Sequence, residues 1–291
     1  MSARRTSVLG AMVLLCWYGA EARAGTLMGT PIATLEEQQW AVGLGYGFGE
    51  ADWEASGLRV QIPSGASPTY TAEFIDLDGL ATHVALASLA YGICDNWDAF
   101  IQFGVSDAQD RISIQAPPPG GAPEYVSYDG DYGLAFGLGT RATFCHWGPW
   151  RFGGLAQVTW FDPKDSDFIS SDPDVADTVF VGRADIDFWQ AQFALTAAYQ
   201  IDTLTFWAGP FLQFVEGDLQ RRGRTLLGGT DSGSFQSSAD IENDGQAGVH
   251  VGINWEVSTK LDGQIESQFT RDSWFLAFGA VVKPRELLAR P

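Results

Sequence analysis

Trp40-Ala41-Val42-Gly43-Leu44-Gly45-Tyr46-Gly47-Phe48-Gly49 alternates bulky apolar and small residues without interruption. Side chains of a strand point to opposite faces with period 2, so this stretch builds a strand with one wide apolar face and one thin face. A soluble sandwich packs such an apolar face on a second sheet. An outer-membrane barrel turns it to lipid and lines a polar lumen with the other face.

The chain opens with an export signal. Arg4 and Arg5 give a positive start, Val8 to Tyr18 form an apolar run too short to span a bilayer as a helix, and Ala22-Arg23-Ala24 offers a small-residue cleavage site before Gly25. Cys16 follows Leu14 and Leu15, where a lipoprotein site wants small residues, so no lipid anchor is expected. Removing residues 1–24 takes three arginines and one glutamate from 17 basic and 36 acidic residues, leaving 14 and 35 and a net charge of −21. That balance excludes nucleic acid as a partner, because phosphate binding depends on clustered Lys and Arg. No uncharged apolar stretch reaches the length of a membrane helix, so a membrane-spanning form has to be a barrel. Charged residues make up 18%, against about 25% in an average protein, and Trp occurs 11 times, which argues against disorder.

Period-2 segments recur along the chain. Tyr132, Leu134, Phe136 and Leu138 repeat the opening pattern against Gly133, Ala135, Gly137 and Gly139, while Trp189 to Tyr199 and Val249 to Val257 alternate apolar residues mainly with Gln, Thr, His, Asn and Glu. Short turns at Cys94-Asp95-Asn96, His146-Trp147-Gly148-Pro149, Ile201-Asp202 and Thr259-Lys260 alternate with long polar stretches at 63–69, 116–124, 163–177 and 217–245. An up-and-down meander produces this alternation, since every second connection emerges on the same side. About ten strands are expected, with eight or twelve as alternatives, because the strand from Thr203 is aromatic on both faces and 217–245 reads as one long connection. The expected layout is an export signal over 1–24, a short lead-in over 25–37, a barrel over 38–283 and a tail over 284–291. Trp40, Tyr91, Trp97, Tyr132, Phe144, Trp147, Trp150, Trp160, Trp189, Tyr199, Trp255 and Trp274 fall at the ends of these strands, as interfacial girdles would.

Tyr91-Gly92-Ile93-Cys94-Asp95-Asn96-Trp97-Asp98, followed by an alternating strand to Gly104, resembles the Tyr-Gly-hydrophobic-x-Asp-x-aromatic inner-side turn of bacterial outer-membrane β-barrel proteins. Looser echoes stand at Tyr199 to Phe206 and Trp255 to Gly263. The resemblance implies an all-β, antiparallel up-and-down transmembrane barrel in the outer membrane, surrounded by outer-membrane lipid and inserted by the barrel-assembly machinery. It names an architecture and not an activity. Many members end on an aromatic residue that closes the last strand, whereas this chain continues past Val282 through Lys283-Pro284-Arg285 to Pro291.

With the apolar face given to lipid, the opposite face supplies the interior. Candidate lumen-lining groups are Gln102, Arg141, Arg151, Gln157, Gln190, Gln192, His250, Asn254, Glu256, Gln264 and Glu266. They allow a structural surface barrel or a narrow channel for small solutes, and the repeated glycines point to a crowded interior. The alternative is a soluble periplasmic or secreted β-barrel or sandwich that binds a ligand, but its second face should carry Lys, Glu, Ser and Thr where this chain repeatedly places Gly and Ala. No enzyme or cofactor is expected. Asp185 and Asp187 share a face as the acids of an omptin-type hydrolase would, yet no Asp-x-His accompanies them. Asp165, Asp167, Asp172 and Asp174 are weak calcium candidates, since Pro163 and Pro173 interrupt the run and no twelve-residue loop ends in Glu. Cys94 and Cys145 fall at turns with a strand between them, near or beyond disulfide reach.

Overall fold

The computed structural model describes residues 26–115, 123–171, 175 and 177–284. The expected export signal and all but the first residue of the expected tail lie outside them. Eleven antiparallel strands follow in chain order: β1 (Trp40–Pro63), β2 (Thr69–Cys94), β3 (Trp97–Gln115), β4 (Glu124–Trp147), β5 (Trp150–Asp162), β6 (Ser166–Ser171), β7 (Thr178–Ile201), β8 (Leu204–Leu227), β9 (Thr230–Ser258), β10 (Leu261–Thr270) and β11 (Ser273–Val282). Their order in the sheet is β5-β4-β3-β2-β1-β11-β10-β9-β8-β7-β6, and β5 also pairs with β7. The sheet therefore closes on itself through the β5–β7 ladder.

Eleven strands appear where about ten were expected because Pro163 interrupts one of them. β5 follows β7 as far as Phe161↔Phe188, and β6 resumes against the same strand at Ser166↔Ala184. Proline has no N–H to give to a ladder. The stretch 217–245, expected as a loop, is instead the outer part of β8 and β9, paired from Gly217↔Ile241 to Leu227↔Thr230. Gly228 and Gly229 turn this hairpin with φ of 56° and 81°, the left-handed geometry that a two-residue hairpin loop demands.

β1 has 24 residues, about twice the nine to eleven that a tilted strand needs to cross a bilayer. Parity fixes which way each side chain points, but the chemistry of both faces changes halfway along. From Trp40 to Phe48 the outward residues are apolar and the inward ones are Ala or Gly; Leu44 is 67% exposed. From Glu50 the outward residues are Glu50, Asp52, Glu54 and Ser56, followed near the strand's end by Leu58, Val60 and Ile62, while Ala51, Trp53 and Ala55 are buried inside. The same switch falls between Asp131 and Tyr132 on β4, Asp187 and Trp189 on β7, and Phe214 and Glu216 on β8. The lower parts of the strands thus form a lipid-facing belt, and the upper parts form a cylinder with an apolar core whose exterior mixes acidic and polar residues with exposed Tyr70, Phe74, Tyr125 and Ile169.

Aromatic pairs edge the belt. Trp40–Tyr91 and Trp150–Tyr199, with ring centroids 4.6 and 4.7 Å apart, mark the lower rim. Phe48–Trp274 and Phe136–Trp160, at 5.5 and 4.9 Å, mark the upper one. The upper rim falls at mid-strand on β1 and β4, because those strands continue past the membrane. β10 and β11, of 10 residues each, stop near it, and above them β1 transfers to β9 from Ala55↔Ile241 to Pro63↔Gly233. On the other side β6 takes over from β5 beside β4. Below the switch the ring passes through β1 to β5 and β7 to β11; above it, β10 and β11 drop out.

The glycines of the thin face are occupied space. A Cβ on Gly47 would strike the ring of Phe275, one on Gly139 the ring of Phe100, and one on Gly252 the indole of Trp207. Inward aromatics occupy the space over glycines of neighbouring strands, which fills a narrow barrel without widening it. Gly47→Val is expected to destabilise the barrel by about 1–3 kcal/mol, the usual cost of overpacking. The midpoint of heat-modified gel migration measures it, with lipid-facing Ala85→Val as a near-neutral control.

Candidate functional site

The lower lumen is filled by the segment from Thr26 to Leu35. Thr26, Leu27, Met28, Thr30, Ile32, Ala33 and Leu35 are all buried, and the segment climbs from the lower rim, where Gln38 and Gly92 are hydrogen-bonded, to the level of Gln268 on β10. It belongs to no strand, so its backbone groups need partners inside the lumen. The wall supplies them. Glu266 accepts from the N–H groups of Met28 and Gly29 at 2.8 and 2.6 Å; Gly29, at φ 69°, lets both donors converge on one carboxylate. Thr143 Oγ1 accepts from Ala33, Asp98 accepts from Thr34, and Arg141 donates to the Thr30 carbonyl. Leu27 has its carbonyl bound by Gln102 and Gln157, and its side chain takes the space that a Cβ on Gly45 would need. Gln157 donates to Gln192, Gln192 to Gln268, and Gln268 to the Thr26 carbonyl, an amide chain across the barrel.

Of the eleven predicted lumen groups, Gln102, Gln157, Gln190, Gln192, His250 and Glu266 are buried on inward positions. Arg141 is partly buried and pairs with Asp98 at 3.0 Å; Gln264 lies beside Gly29. Arg151 and Asn254 are partly buried toward the lower rim, where Arg151 donates to Gln200, and Glu256 is exposed. His250 is buried in the interior between Trp207 and Phe211, its Nε2 3.1 Å from Thr196 Oγ1 and 3.2 Å from the Leu195 carbonyl and its Nδ1 without a hydrogen-bond partner. Sequence reasoning did not anticipate the plug. Its signal was available: Leu27, Met28, Ile32 and Leu35 are apolar residues in what would otherwise be a solvated lead-in.

Above the plug, a second stopper is apolar. Leu27 packs into a core that includes Trp53, Leu77, Leu80, Phe161, Ile186, Phe188, Leu219 and Ile241. Phe188 holds it together, 4.9 Å from Trp53 and 4.8 Å from Phe161. Higher still, Arg59, Glu73, Glu124 and Arg221 form a buried quartet. Arg59 contacts both glutamates, Arg221 reaches Glu73 at 2.5 Å, and Ser237 and Ser170 donate to Glu73 and Glu124. Burial pushes the Arg221 guanidinium down, while Glu73 and Glu124 hold it charged. Removing one member leaves an uncompensated buried charge, so Arg221→Met is expected to cost about 3–5 kcal/mol, and adding Glu73→Leu to recover part of that. Chemical unfolding of the refolded protein measures both.

The outer surface above the belt is acidic. Burial, then Asp162 and Asp165, raises Asp185; burial, then Asp218, raises Asp187. An acid raised in the folded state binds its proton more tightly there, so the raised groups make the fold gain stability as pH falls toward the carboxylate range and lose it as pH rises. Asp187→Asn should flatten that slope and raise stability at neutral pH, as read from melting profiles between pH 4 and 8 (about the range that spans carboxylate titration).

Other candidates are dispersed. The acids Asp185 and Asp187 lie outward on β7, whereas His83 bonds Tyr46 on the outer face of β2, His146 bonds Asn96 at a lower turn, and His250 is interior. No histidine joins the two aspartates. Asp165 and Asp167 are each bound by Arg183 at 2.9 Å; Asp172 and Asp174 lie outside the described residues. Among the described residues no cluster of three metal-ligating side chains occurs. Cys94 and Cys145 are free and exposed.

No family model matches the chain, and no curated protein does. Solved bacterial outer-membrane proteins do resemble its fold. The outer membrane protease OmpT from Escherichia coli superposes with a TM-score of 0.42 and 8% identity, over 89% of this chain and 97% of OmpT. The outer membrane protein OprG from Pseudomonas aeruginosa gives 0.40 and 11%, over 86% and 98%. The translocator domain of the autotransporter NalP from Neisseria meningitidis gives 0.34 and 11%, over 86% and 90%. Likeness at this level is one of barrel shape and says nothing about what the chain does.

Proposed function

We propose that this chain is a closed surface barrel of the bacterial outer membrane, which anchors a rigid acidic cylinder beyond the bilayer and offers solutes no path along its axis. The lipid-facing belt supports the location, since closed barrels with such a belt satisfy every backbone group in hydrocarbon. The observation that carries the function is the double stopper: Thr26 to Leu35 fill the lower lumen, and the Trp53–Phe188–Phe161 core fills the upper one. A narrow channel for small solutes, which the lumen candidates also allowed, would need both displaced. The cavity beside the plug, lined by Leu27, Met28, Gly43 and Gln102, measures about 50 Å³, room for one or two waters.

The role is non-enzymatic, supported by the separation of Asp185 and Asp187 from every histidine. Insertion would be by the barrel-assembly machinery through β11, which presents Trp274 and Phe278 to lipid. Divalent cations would meet the acidic exterior as loosely held counterions.

Planar-bilayer recording tests the proposal. The intact protein should show no discrete conductance, and deletion of residues 26–35 should still show none, because the apolar stopper remains. Steady single-channel steps from the intact protein would sink it. Outer-membrane fractionation and heat-modifiable migration should both be positive.

A further inference from the structure

The outer face of β6, β7 and β8 breaks the acidic pattern of the exterior. Arg183, Arg222 and Arg224 all point outward there and are exposed, in a chain whose formal net charge is −19. Arg183 and Arg222 are direct cross-strand partners, and Arg224 follows on the same face of β8. Like charges placed directly opposite each other destabilise a sheet. Asp165 and Asp167 offset Arg183 at 2.9 Å each, but Arg224 reaches Asp231 only at 4.0 Å. Among the described residues Arg222 forms no ion pair, and Asp185 acts on it from longer range. The fold thus gathers more positive charge at this point than its own carboxylates neutralise.

Beside the arginines the surface is apolar and hollow. Ile169, 73% exposed, and Val181, 37% exposed, line a depression together with Leu226, and the backbones of Gly182 and Gly223, paired with each other, form its floor. Its volume of about 670 Å³ is that of a small-molecule site. Arg183 lies roughly 20 Å along β7 from Trp189 at the top of the belt, counting about 3.3 Å per residue. A ligand therefore reaches the depression from the external medium and not from the hydrocarbon.

We propose that this depression binds amphipathic carboxylates, small molecules that carry one carboxylate on an aryl or acyl body. Arg222 and Arg224 take the carboxylate, because the planar guanidinium offers parallel N–H donors that match its two oxygens. Arg183, held by Asp165 and Asp167, closes the charged end of the site. Ile169, Val181 and Leu226 cover the apolar body. A small hydrated anion would answer the arginines and leave that wall in water, and a neutral apolar molecule would do the reverse. Only an amphiphile matches both halves. Asp167 and Asp185 border the site, so a singly charged head is repelled less than a doubly charged phosphate ester. The site lies outside the barrel wall and does not depend on the plug; it gives the surface barrel a receptor role that needs no path along its axis.

The test uses refolded protein in nanodiscs of a zwitterionic phospholipid, with empty nanodiscs subtracting what dissolves in lipid. Titration calorimetry compares naphthoate with its neutral carboxamide and with inorganic phosphate. Naphthoate should bind at least about tenfold more tightly than either, the equivalent of one charge-assisted contact. Arg222→Gln with Arg224→Gln should remove that advantage and leave the carboxamide unchanged, and Ile169→Ser should weaken naphthoate while leaving phosphate unchanged. These positions are exposed, so heat-modifiable migration should be kept; Arg222→Lys with Arg224→Lys, which retains the charge but not the planar fork, should fall between the wild type and the glutamine pair. Equal affinity for naphthoate and its carboxamide overturns the proposal, and so does naphthoate binding that survives loss of both arginines. Tighter binding of phosphate than of naphthoate, or no heat above empty nanodiscs, overturns it as well. Conductance is silent in all these cases, so failure here leaves the closed barrel standing.

Discussion

The period of two is the constraint on which everything else depends. Along β1 the even-numbered side chains from Trp40 to Ile62 keep to the outside and the odd-numbered ones from Ala41 to Arg59 to the inside, whatever medium surrounds them. The medium changes at about Glu50, from lipid to water, and the sequence answers by exchanging the chemistry of the two faces without changing the parity. Below, bulk faces out and the inside is thin; just above, Glu50, Asp52 and Glu54 face out and Trp53 leads an apolar core. One continuous sheet is thereby a membrane barrel at one end and a soluble-type barrel at the other.

A thin inner wall creates the need for a plug. Gly43, Gly45 and Gly47 leave space that neighbouring aromatics fill in part, as Phe275 does over Gly47, and Leu27 completes it over Gly45. A chain segment brought into a lumen carries unpaired N–H and C=O groups with it, each costly to bury alone. The inward glutamines and Glu266 answer that cost, which explains why so polar a lumen holds so little open space. Polar lining in a barrel of this width thus records what is bound in the lumen as readily as what might pass through it.

The lower half was legible because its pattern is strong: the run at Trp40 to Gly49 and its echo at Tyr132 to Gly139 gave strand, face and belt together. The upper half was not. Residues 217–245 carry Arg, Gln, Ser and Asp on the face that meets water, with Leu219, Phe235 and Ile241 spaced sparsely inside, and a polar-rich hairpin looks like a loop when only its composition is weighed. The inward positions of Gln102, Gln157 and Glu266 followed from parity alone. Their ligand did not, because the plug lacks any periodicity, and the quartet of Arg59, Glu73, Glu124 and Arg221 comes from four strands whose register no single segment encodes.

The two halves also divide the stability of the molecule between two solvents. In the belt, Leu44, Phe103 and Phe136 are exposed and gain nothing until lipid or detergent covers them, so the lower ring depends on its amphiphile. The upper cylinder buries Trp53, Phe161, Phe188 and Ile241 against one another and depends on none. β1, β2, β3, β4, β7, β8 and β9 pass through both regions, so neither half can unfold without fraying the ladder of the other. Leu27 is where the halves meet: it belongs both to the segment that fills the lower lumen and to the apolar core above it, so the seating of that segment is felt by the upper part of the barrel.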